Sequence, residues 1–450
     1  MKITFIGATQ TVTGSKFLLE KEGYRLLLDC GLFQGLKKLR LRNRADFPVK
    51  ESSIDSIVLT HAHLDHSGFI PRLIKKGFKG SIYATHATKD LCQILLPDSG
   101  FLQEEEARYA AKKGFSRHEK PEPLYTEEEA QESLQYFQTR EFHAPFQLGP
   151  FEVTYLKAGH ILGAASVLIK TKTHTILFSG DLGRQNDLVM QAPERACVAD
   201  VVVMESTYGG RLHSQLDPRV AFRDYLEWVI EKKGVFLIPS FAVGRAQTVL
   251  FCLYDVFKNH PELRMPVYVN SPMATNVTEL FEKYGELHKL DQKTTREVLA
   301  TAHYVRSVEE SIALNKKSGP HAIISASGML TGGRVLHHLK SLAPGPENLI
   351  LLPGFQAPGT RGQAIVAGAT ETKIHGEYVP VRARIAHLDM LSAHADQGDL
   401  LWWLSGCSKK PKRIFLVHGE EASMDALRLL IKDRVGIEPE IPEKLDSFEL

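Results

Sequence analysis

The feature that most constrains this chain is the hexapeptide His61-Ala-His63-Leu-Asp65-His66, which directly follows an apolar strand pattern over Ile54–Leu59. Neutral imidazole and carboxylate oxygen are the usual ligands of zinc apart from thiolate, so three histidines and one aspartate this close together suit a divalent metal. With 19 histidines in 450 residues, chance matches to this pattern number roughly 0.002. The hexapeptide predicts a metal site at the carboxyl end of a strand, where ligand sites lie in α/β sheets. The alternative is a helix cap made by Asp65 with surface histidines around it.

Further ligands are needed to close one or two metal positions, and they should also follow strands. Four polar residues fit, each near a glycine: Asp29, His160, Asp181 and His418. Glycine lets the backbone approach a bound ion closely. Taken singly, each residue is equally well explained as a turn residue or a hydrogen-bonded histidine.

The order of the predicted elements indicates an α/β protein. Short strands and helical patterns mix up to about Ser206, and longer helices then alternate with single buried strands. Strict alternation of this kind predicts a parallel, doubly wound sheet. The clearest segments are helix Pro218–Lys232, strand Val235–Pro239, helix Ala246–Asn259, and, later, strands Val379–Ile385 and Arg413–Val417. A polar helical pattern is also predicted over Gln103–Gln138.

Composition excludes several classes of protein. The chain is 43% hydrophobic and 24% charged, which excludes disordered, collagen-like and coiled-coil proteins. Its net charge of +2 excludes a histone-like polycation but permits a local basic groove. The five cysteines are odd in number and form no CxxC pair, so neither a disulfide framework nor a thiolate zinc site is indicated. No apolar run is long enough to span a bilayer and no signal-peptide pattern is present, so we expect a cytoplasmic protein without a membrane partner.

The polar residues at strand ends resemble the ordered ligand motifs of the metallo-β-lactamase superfamily, whose αββα sandwich holds two zinc ions between its sheets. The resemblance implies that His61, His63 and His160 hold one zinc and that Asp65, His66 and His418 hold the other, with Asp181 bridging them. It also implies that Asp29 lies behind the ligands and orients either one of them or the loop.

Four further motifs resemble the β-CASP group of nucleases, and the resemblance covers essentially the whole chain. They are Glu205-Ser-Thr-Tyr-Gly209, Pro239-Ser-Phe-Ala-Val-Gly-Arg245, Ser327-Gly-Met-Leu-Thr-Gly-Gly-Arg334 and Ser392-Ala-His-Ala-Asp396. The implied architecture is a discontinuous metallo-β-lactamase domain over residues 1–205 and 366–450, interrupted by a doubly wound parallel β-CASP domain over residues 206–365. Glu205, His394 and His418 fall where the later motifs of that group fall.

The position of His418 is a histidine in members of the group that act on RNA and a valine in members that repair DNA, so His418 favours RNA as the substrate. We expect no KH module before Met1–Thr4 and no further domain after Leu450, which makes the chain similar to compact bacterial relatives of the endonuclease subunit of the cleavage and polyadenylation specificity factor. The resemblance implies a zinc-dependent ribonuclease in RNA processing or decay, mainly endonucleolytic, that leaves a 5′ phosphate and a 3′ hydroxyl. A 5′-to-3′ exoribonuclease, a thioester or lactone hydrolase and a non-catalytic RNA-binding scaffold stay open as alternatives.

Three residues have expected roles in proton transfer. Asp65 accepts a proton from the attacking water while remaining a ligand, His394 protonates the leaving 3′ oxygen, and Glu205 holds the tautomer of His394. A buried, hydrogen-bonded histidine is the alternative explanation of His394.

Single-stranded RNA is the expected partner, entering between the two domains, and a homodimer stays open. The expected phosphate contacts are Ser392, Arg245, Arg334, Thr360 and Arg361. Structural arginines that pair with protein groups are the alternative. Relatives usually carry leucine and arginine where this chain has Arg361 and Gln363, so whether Arg361 replaces the family arginine stays open.

A basic cluster lies shortly after Asp29, in the run Lys37-Lys-Leu-Arg-Leu-Arg-Asn-Arg44. Five cations in eight residues either steer RNA electrostatically or form a solvated basic loop.

Overall fold

The structure is a computed structural model that describes residues 1–113 and 122–450. The helical pattern predicted over Gln103–Gln138 is therefore described only in part, as the end of one helix and as a second short helix, and its middle lies outside the described residues.

The strands of the described residues are, in chain order, β1 (Lys2–Phe5), β2 (Phe17–Lys21), β3 (Tyr24–Leu28), β4 (Ser56–Val58), β5 (Ser81–Ala84), β6 (Phe137–Thr139), β7 (Phe146–Leu148), β8 (Phe151–Lys157), β9 (Ala165–Lys170), β10 (Thr175–Phe178), β11 (Val201–Glu205), β12 (Val235–Pro239), β13 (Val267–Val269), β14 (His303–Tyr304), β15 (His321–Ser325), β16 (Leu349–Pro353), β17 (Glu371–Ile374), β18 (Glu377–Pro380), β19 (Arg384–Leu388), β20 (Arg413–Val417) and β21 (Ser447–Glu449).

The α-helices of the same residues are α1 (Lys37–Arg40), α2 (Leu64–Ser67), α3 (Ile70–Lys75), α4 (His86–Lys113), α5 (Glu127–Ser133), α6 (Pro218–Lys232), α7 (Arg245–Asn259), α8 (Pro272–Lys283), α9 (Gln292–Leu299), α10 (Val308–Leu314), α11 (Val335–Leu342), α12 (Arg361–Val366), α13 (Gln397–Leu404) and α14 (Glu421–Val435). No helix in the described ranges is both long and apolar enough to cross a bilayer.

The described chain divides into two compact units. The first unit comprises residues 1–187, 191–212 and 394–450, and the second comprises residues 188–190 and 213–393. Residues 366–393, expected in the discontinuous domain, lie in the second unit because β19 pairs with β16 along its whole length. The family domain boundaries at residues 205 and 365 stay a prediction.

The first unit is a sandwich of two sheets. A seven-stranded sheet has the order β21-β1-β2-β3-β4-β5-β6, and a six-stranded sheet has the order β20-β11-β10-β9-β8-β7. Aromatic side chains from both sheets fill the core: Phe5 contacts Phe17 and Phe415 at ring-centroid distances of 5.8 and 5.0 Å, and Phe17 contacts Phe178 at 5.9 Å. Apolar faces buried against each other in this way define a two-layer sandwich.

Parallel pairing within these sheets gathers polar residues at one edge. β3 runs parallel to β4, and β10, β11 and β20 run parallel to one another. The carboxyl ends of parallel neighbours meet at the same edge, so the residues that follow these strands converge.

The second unit contains one parallel sheet of order β14-β13-β15-β12-β16-β19. Its two faces belong to separate hydrophobic clusters, one with residues of α6 and α7 and the other with residues of α11 and α12. Helices on both faces confirm the predicted doubly wound sheet.

The strand predicted over Val379–Ile385 is instead two strands in different sheets. β18 ends at Pro380 in a hairpin with β17, and β19 begins at Arg384 in the parallel sheet. The Val381 N–H still donates to Thr370 O, in register with the hairpin, whereas the N–H groups of Arg382 and Ala383 donate to Ala343 O, so the backbone leaves the hairpin after Val381.

Candidate metal centre

The predicted ligands converge at the edge of the sandwich, all within the first unit. Asp29 follows β3, the hexapeptide follows β4, Asp181 follows β10 and His418 follows β20. Asp29 and His418 adopt left-handed backbone conformations, with φ of 56° and 51°. Non-glycine residues rarely adopt this conformation, and such residues cluster at functional sites.

One group of donors consists of three imidazoles and a carboxylate. His63 Nδ1 lies 3.2 Å from both His61 Nε2 and His160 Nε2. Asp181 Oδ2 lies 3.5 Å from His61 Nε2 and 3.6 Å from His160 Nε2. Tetrahedral zinc with bonds of about 2.0–2.1 Å places its ligand atoms about 3.3–3.4 Å apart, so this donor set fits a zinc ion.

A second group lies beside the first and shares Asp181. Asp181 Oδ1 lies 3.2 Å from His66 Nε2, and His418 Nε2 lies 3.4 Å from Asp65 Oδ2. Asp181 Oδ1 is buried and accepts no hydrogen bond from the described residues. A cation between the donors would satisfy this oxygen, because a buried charge is otherwise costly.

The protonation of the first group suits metal binding. Burial holds the pKa of His61 well below its usual value of 6.5, and burial lowers the pKa of His63 to about 4. His66, in the second group, differs: burial would lower its pKa, but the carboxylates of Asp181 and Asp29 outweigh burial and raise that pKa. Imidazole binds a metal in its neutral form, so His61 and His63 are already in that form at neutral pH.

Behind the second group, Asp29 contacts His66. Asp29 Oδ2 lies 2.8 Å from His66 Nδ1 and accepts a hydrogen bond from Thr60 Oγ1 at 2.8 Å, while Asp29 Oδ1 accepts one from the Thr60 N–H at 2.8 Å. Carboxylates in this position fix the tautomer and the ring orientation of metal-ligating histidines.

Two threonines that the sequence analysis did not predict also contact the histidines. Thr60 Oγ1 lies 3.1 Å from His61 Nδ1, and Thr207 Oγ1 lies 3.1 Å from His418 Nδ1. The available signal was their position, directly before the hexapeptide and within the Glu205 motif.

The loop that carries Asp65 and His66 is held by backbone contacts with the segment after Asp29. The Cys30 N–H donates to His66 O at 2.7 Å, and the Leu32 N–H donates to Leu64 O at 2.8 Å. A Cβ atom at Gly31 would overlap the Asp65 carbonyl. Only glycine therefore allows the two loops to approach this closely.

A third pair of titratable groups adjoins the donors. His394 Nδ1 lies 3.3 Å from each oxygen of Glu205 and 4.0 Å from Asp181 Oδ2. Glu205 is buried and also accepts hydrogen bonds from the Leu182 N–H at 2.6 Å and the Thr207 N–H at 3.4 Å, whereas the His394 side chain is 18% exposed. Burial would lower the pKa of His394, but the Glu205 carboxylate outweighs it and raises that pKa. The imidazole therefore reaches solvent while a fixed carboxylate holds its Nδ1–H.

The five predicted phosphate contacts all lie in the second unit, where the structure gives them internal partners. Arg334 donates to Asn270 Oδ1 and Arg306 O, and Arg361 donates to Lys373 O and Leu330 O. Thr360 caps α12, with its Oγ1 accepting from the Gln363 N–H at 3.2 Å. The side chains of Arg245 and Ser392 are both buried. Phosphate binding by Arg334 and Arg361 stays a prediction that these hydrogen bonds do not favour.

Three families match successive parts of the chain. Residues 12–225 match the metallo-beta-lactamase superfamily, residues 246–365 match the Beta-Casp domain, and residues 378–442 match the Zn-dependent metallo-hydrolase RNA specificity domain. These matches confirm the family resemblance and the metallo-β-lactamase fold with its β-CASP insertion.

Individual proteins give the same assignment. The chain is 38% identical over 439 residues to ribonuclease TTHA0252 of Thermus thermophilus, which covers 96% of both chains. It is 29% identical over 440 residues to cleavage and polyadenylation specificity factor 73 of Drosophila melanogaster, with 96% of this chain and 62% of that protein covered. A crystal structure of a protein of unknown function from Enterococcus faecalis superposes with a TM-score of 0.55 over 100% of this chain and 99% of that one, at 15% identity, and so supports the fold alone. The chain belongs to the β-CASP group of the metallo-β-lactamase superfamily and is a metal-dependent hydrolase of that group.

Proposed function

We propose that this protein is a zinc-dependent ribonuclease that cleaves RNA phosphodiester bonds mainly endonucleolytically, in RNA processing or decay. The observation that carries the proposal is the His394–Glu205 pair beside the donor groups, with His394 Nδ1 4.0 Å from Asp181 Oδ2. A thioester or lactone hydrolase has no need for this pair. The similarity to a protein named a ribonuclease supports RNA as the substrate.

We further propose two zinc ions for each chain. His61, His63 and His160 would hold one ion, Asp65, His66 and His418 would hold the other, and Asp181 would bridge them. The support is the sharing of Asp181, whose two oxygens face different donor groups. Bound zinc supplies a Lewis acid beside the scissile phosphate and lowers the pKa of water, which makes hydroxide available at neutral pH.

The residues of the chain supply the proton transfers. Asp65, with a side chain 20% exposed, accepts the proton of the attacking water. His394 donates a proton to the leaving 3′ oxygen. Glu205 accepts a hydrogen bond from His394 Nδ1, which fixes the tautomer of the His394 ring. Water attacks phosphorus and the P–O3′ bond breaks, so the products are a 5′ phosphate and a 3′ hydroxyl.

We also propose that the substrate is single-stranded RNA, that the protein acts in the cytoplasm and that it forms a homodimer. All five cysteines are free thiols in the structure, which suits a reducing compartment. The dimer is supported by the family resemblance alone.

Digestion of 5′-end-labelled and internally labelled RNA, each with and without chelator, tests the proposal. We expect internal fragments with 5′ phosphates and no cleavage after chelation. Release of mononucleotides alone would show that the protein is an exonuclease and not an endonuclease. Hydrolysis of a thioester without cleavage of RNA would show that it is not a nuclease. Fewer than one zinc per chain after careful purification would favour a non-catalytic scaffold.

A further inference from the structure

A basic strip lies in the first unit, on α1 and the turn that follows it. It consists of Lys37, Lys38, Arg40, Arg42 and Arg44. Arg42 is half-buried and the other four side chains are exposed, with Arg44 donating to the carbonyl of Glu122 at 2.5 Å. Across residues 1–113 and 122–450, no carboxylate lies within 4 Å of these cations, whereas basic groups elsewhere on the surface do pair, as in Lys412 with Asp200 at 3.0 Å.

Cations from two distant parts of the sequence approach this strip. Lys16 Nζ and the Arg42 guanidinium lie 4.7 and 5.4 Å from the centre of the Phe33 ring. Lys444, near the end of the chain, is close enough to Arg42 that their repulsion adds to burial in lowering the pKa of Lys444. Lys16 is buried and donates to the Gly31 carbonyl, so it is not one of the exposed charges of the strip. A bound anion would relieve the repulsion between the exposed cations.

The strip is also held in a fixed position. The side chain of Asn43 is buried within it, where Oδ1 accepts from the Phe33 N–H at 2.9 Å and Nδ2 donates to Phe33 O at 2.8 Å. A basic loop that only interacts with solvent gains nothing from being fixed, whereas a fixed array of charges is preorganised to bind a chain of phosphates.

Asn43 connects the strip to the metal centre. Phe33 directly follows Leu32, whose N–H bonds the carbonyl of Leu64, and the preceding Cys30 bonds the carbonyl of His66. The segment Cys30–Leu32, which is hydrogen-bonded to the metal-binding loop, therefore leads directly to Phe33, the residue to which Asn43 is hydrogen-bonded.

We propose that the basic strip binds the backbone phosphates of the RNA strand that occupies the metal centre. This inference rests on the proposed function and extends it by naming the surface that holds the RNA outside the cleavage site. Contacts with phosphates position a nucleic acid without reading its sequence. The strip therefore contributes affinity and association rate that depend on salt but not on sequence.

The test compares two quadruple variants with the same change in net charge. The strip variant is Lys37→Ala, Lys38→Ala, Arg40→Ala and Arg44→Ala, and the control replaces four exposed lysines elsewhere by alanine: Lys76, Lys79, Lys172 and Lys409. The affinity of each zinc-loaded protein for single-stranded phosphorothioate RNA, which resists cleavage but keeps a charge at every phosphate, is measured over a series of salt concentrations. Zinc content and circular dichroism check that both variants are folded.

The strip variant should bind about tenfold or more weakly at low salt. The slope of log affinity against log salt should decrease by up to about 3, at about 0.7 for each RNA phosphate that the variant no longer neutralises. The control should stay within about twofold of the parent, since only its net charge changes. Lys37→Arg with Lys38→Arg should retain the parent affinity.

Equal losses in both quadruple variants, or no loss in the strip variant, would overturn the inference. Binding of polyglutamate in preference to RNA would also overturn it, in favour of an acidic protein partner. The binding measurement does not depend on cleavage. A parent protein that binds RNA through the strip without cutting it would refute the proposed ribonuclease alone, and a parent that cuts RNA with its affinity independent of the strip would refute this inference alone.

Discussion

His66 Nδ1 lies 2.8 Å from Asp29 Oδ2, so the group that orients this imidazole comes from the end of a different strand, 37 residues earlier in the chain. The same carboxylate accepts two hydrogen bonds from Thr60, which fix its rotation. The orientation of His66 thus depends on the packing of β3 beside β4 as well as on the hexapeptide itself.

Asp29→Asn should weaken zinc binding by about 10–100-fold, because an amide places a neutral group where a carboxylate now accepts the imidazole N–H. Competition with a coloured chelator measures the affinity. Asp46→Asn, which changes an exposed aspartate of the same region, is the control. An unchanged affinity in Asp29→Asn would mean that the position of His66 is set by its neighbours alone.

His394→Ala should keep its zinc while RNA cleavage falls by about 10²- to 10⁴-fold, the usual contribution of a general acid. Glu205→Gln should reduce cleavage in the same direction, because the amide cannot stabilise a protonated imidazole as a carboxylate does. His86→Ala, an exposed histidine outside the donor groups, provides the control. Retained cleavage in His394→Ala would exclude its role as the acid.

Removal of zinc should lower the midpoint of thermal unfolding as well as abolish activity. A metal that binds only the folded chain stabilises it by about 2.7 kcal/mol at 100 times the dissociation constant. Calorimetry with and without chelator, followed by addition of zinc, measures the shift and its reversal. Mass spectrometry of the intact protein should show two zinc ions, and a midpoint that ignores zinc would argue against these donors as its ligands.

Gly31→Ala should lower the free energy of unfolding in urea by about 1–3 kcal/mol, because the added methyl overlaps the Asp65 carbonyl and pushes the two loops apart. Zinc affinity should fall with it, since the displaced loop carries Asp65 and His66. Gly285→Ala is a matched control because a Cβ there meets no atom within 4 Å. Similar free energies of unfolding in the two variants would show that the two loops can move apart without loss of stability.

The positions of polar residues at the ends of buried strands predicted the candidate ligands, and the family resemblance supplied their division into two groups. His160 and His418 were identified in this way although long stretches of chain separate them from the hexapeptide. Thr60 and Thr207 were missed, since a threonine has no distinctive pattern and its role depends on which imidazole lies beside it.

The arginines could not be assigned from the sequence. An arginine after a glycine-rich turn has the same sequence pattern whether it faces a phosphate or a carbonyl, and Arg361 donates to carbonyls of Lys373 and Leu330. The expected strand Val379–Ile385 was wrong for a related reason: its apolar residues suit either sheet, and the chain leaves the hairpin only where the N–H groups of Arg382 and Ala383 donate to the Ala343 carbonyl.

The pairing of His418 with Asp65 spans 353 residues of sequence, and β20 joins β11 immediately before it. Because a ribosome makes the chain from its amino end, the hexapeptide emerges long before the strand that carries His418. The second donor group is completed only after the chain has grown 353 residues beyond Asp65. The proposed RNA-cleaving centre therefore stays incomplete while these residues are made, when the growing chain is tethered to its own messenger.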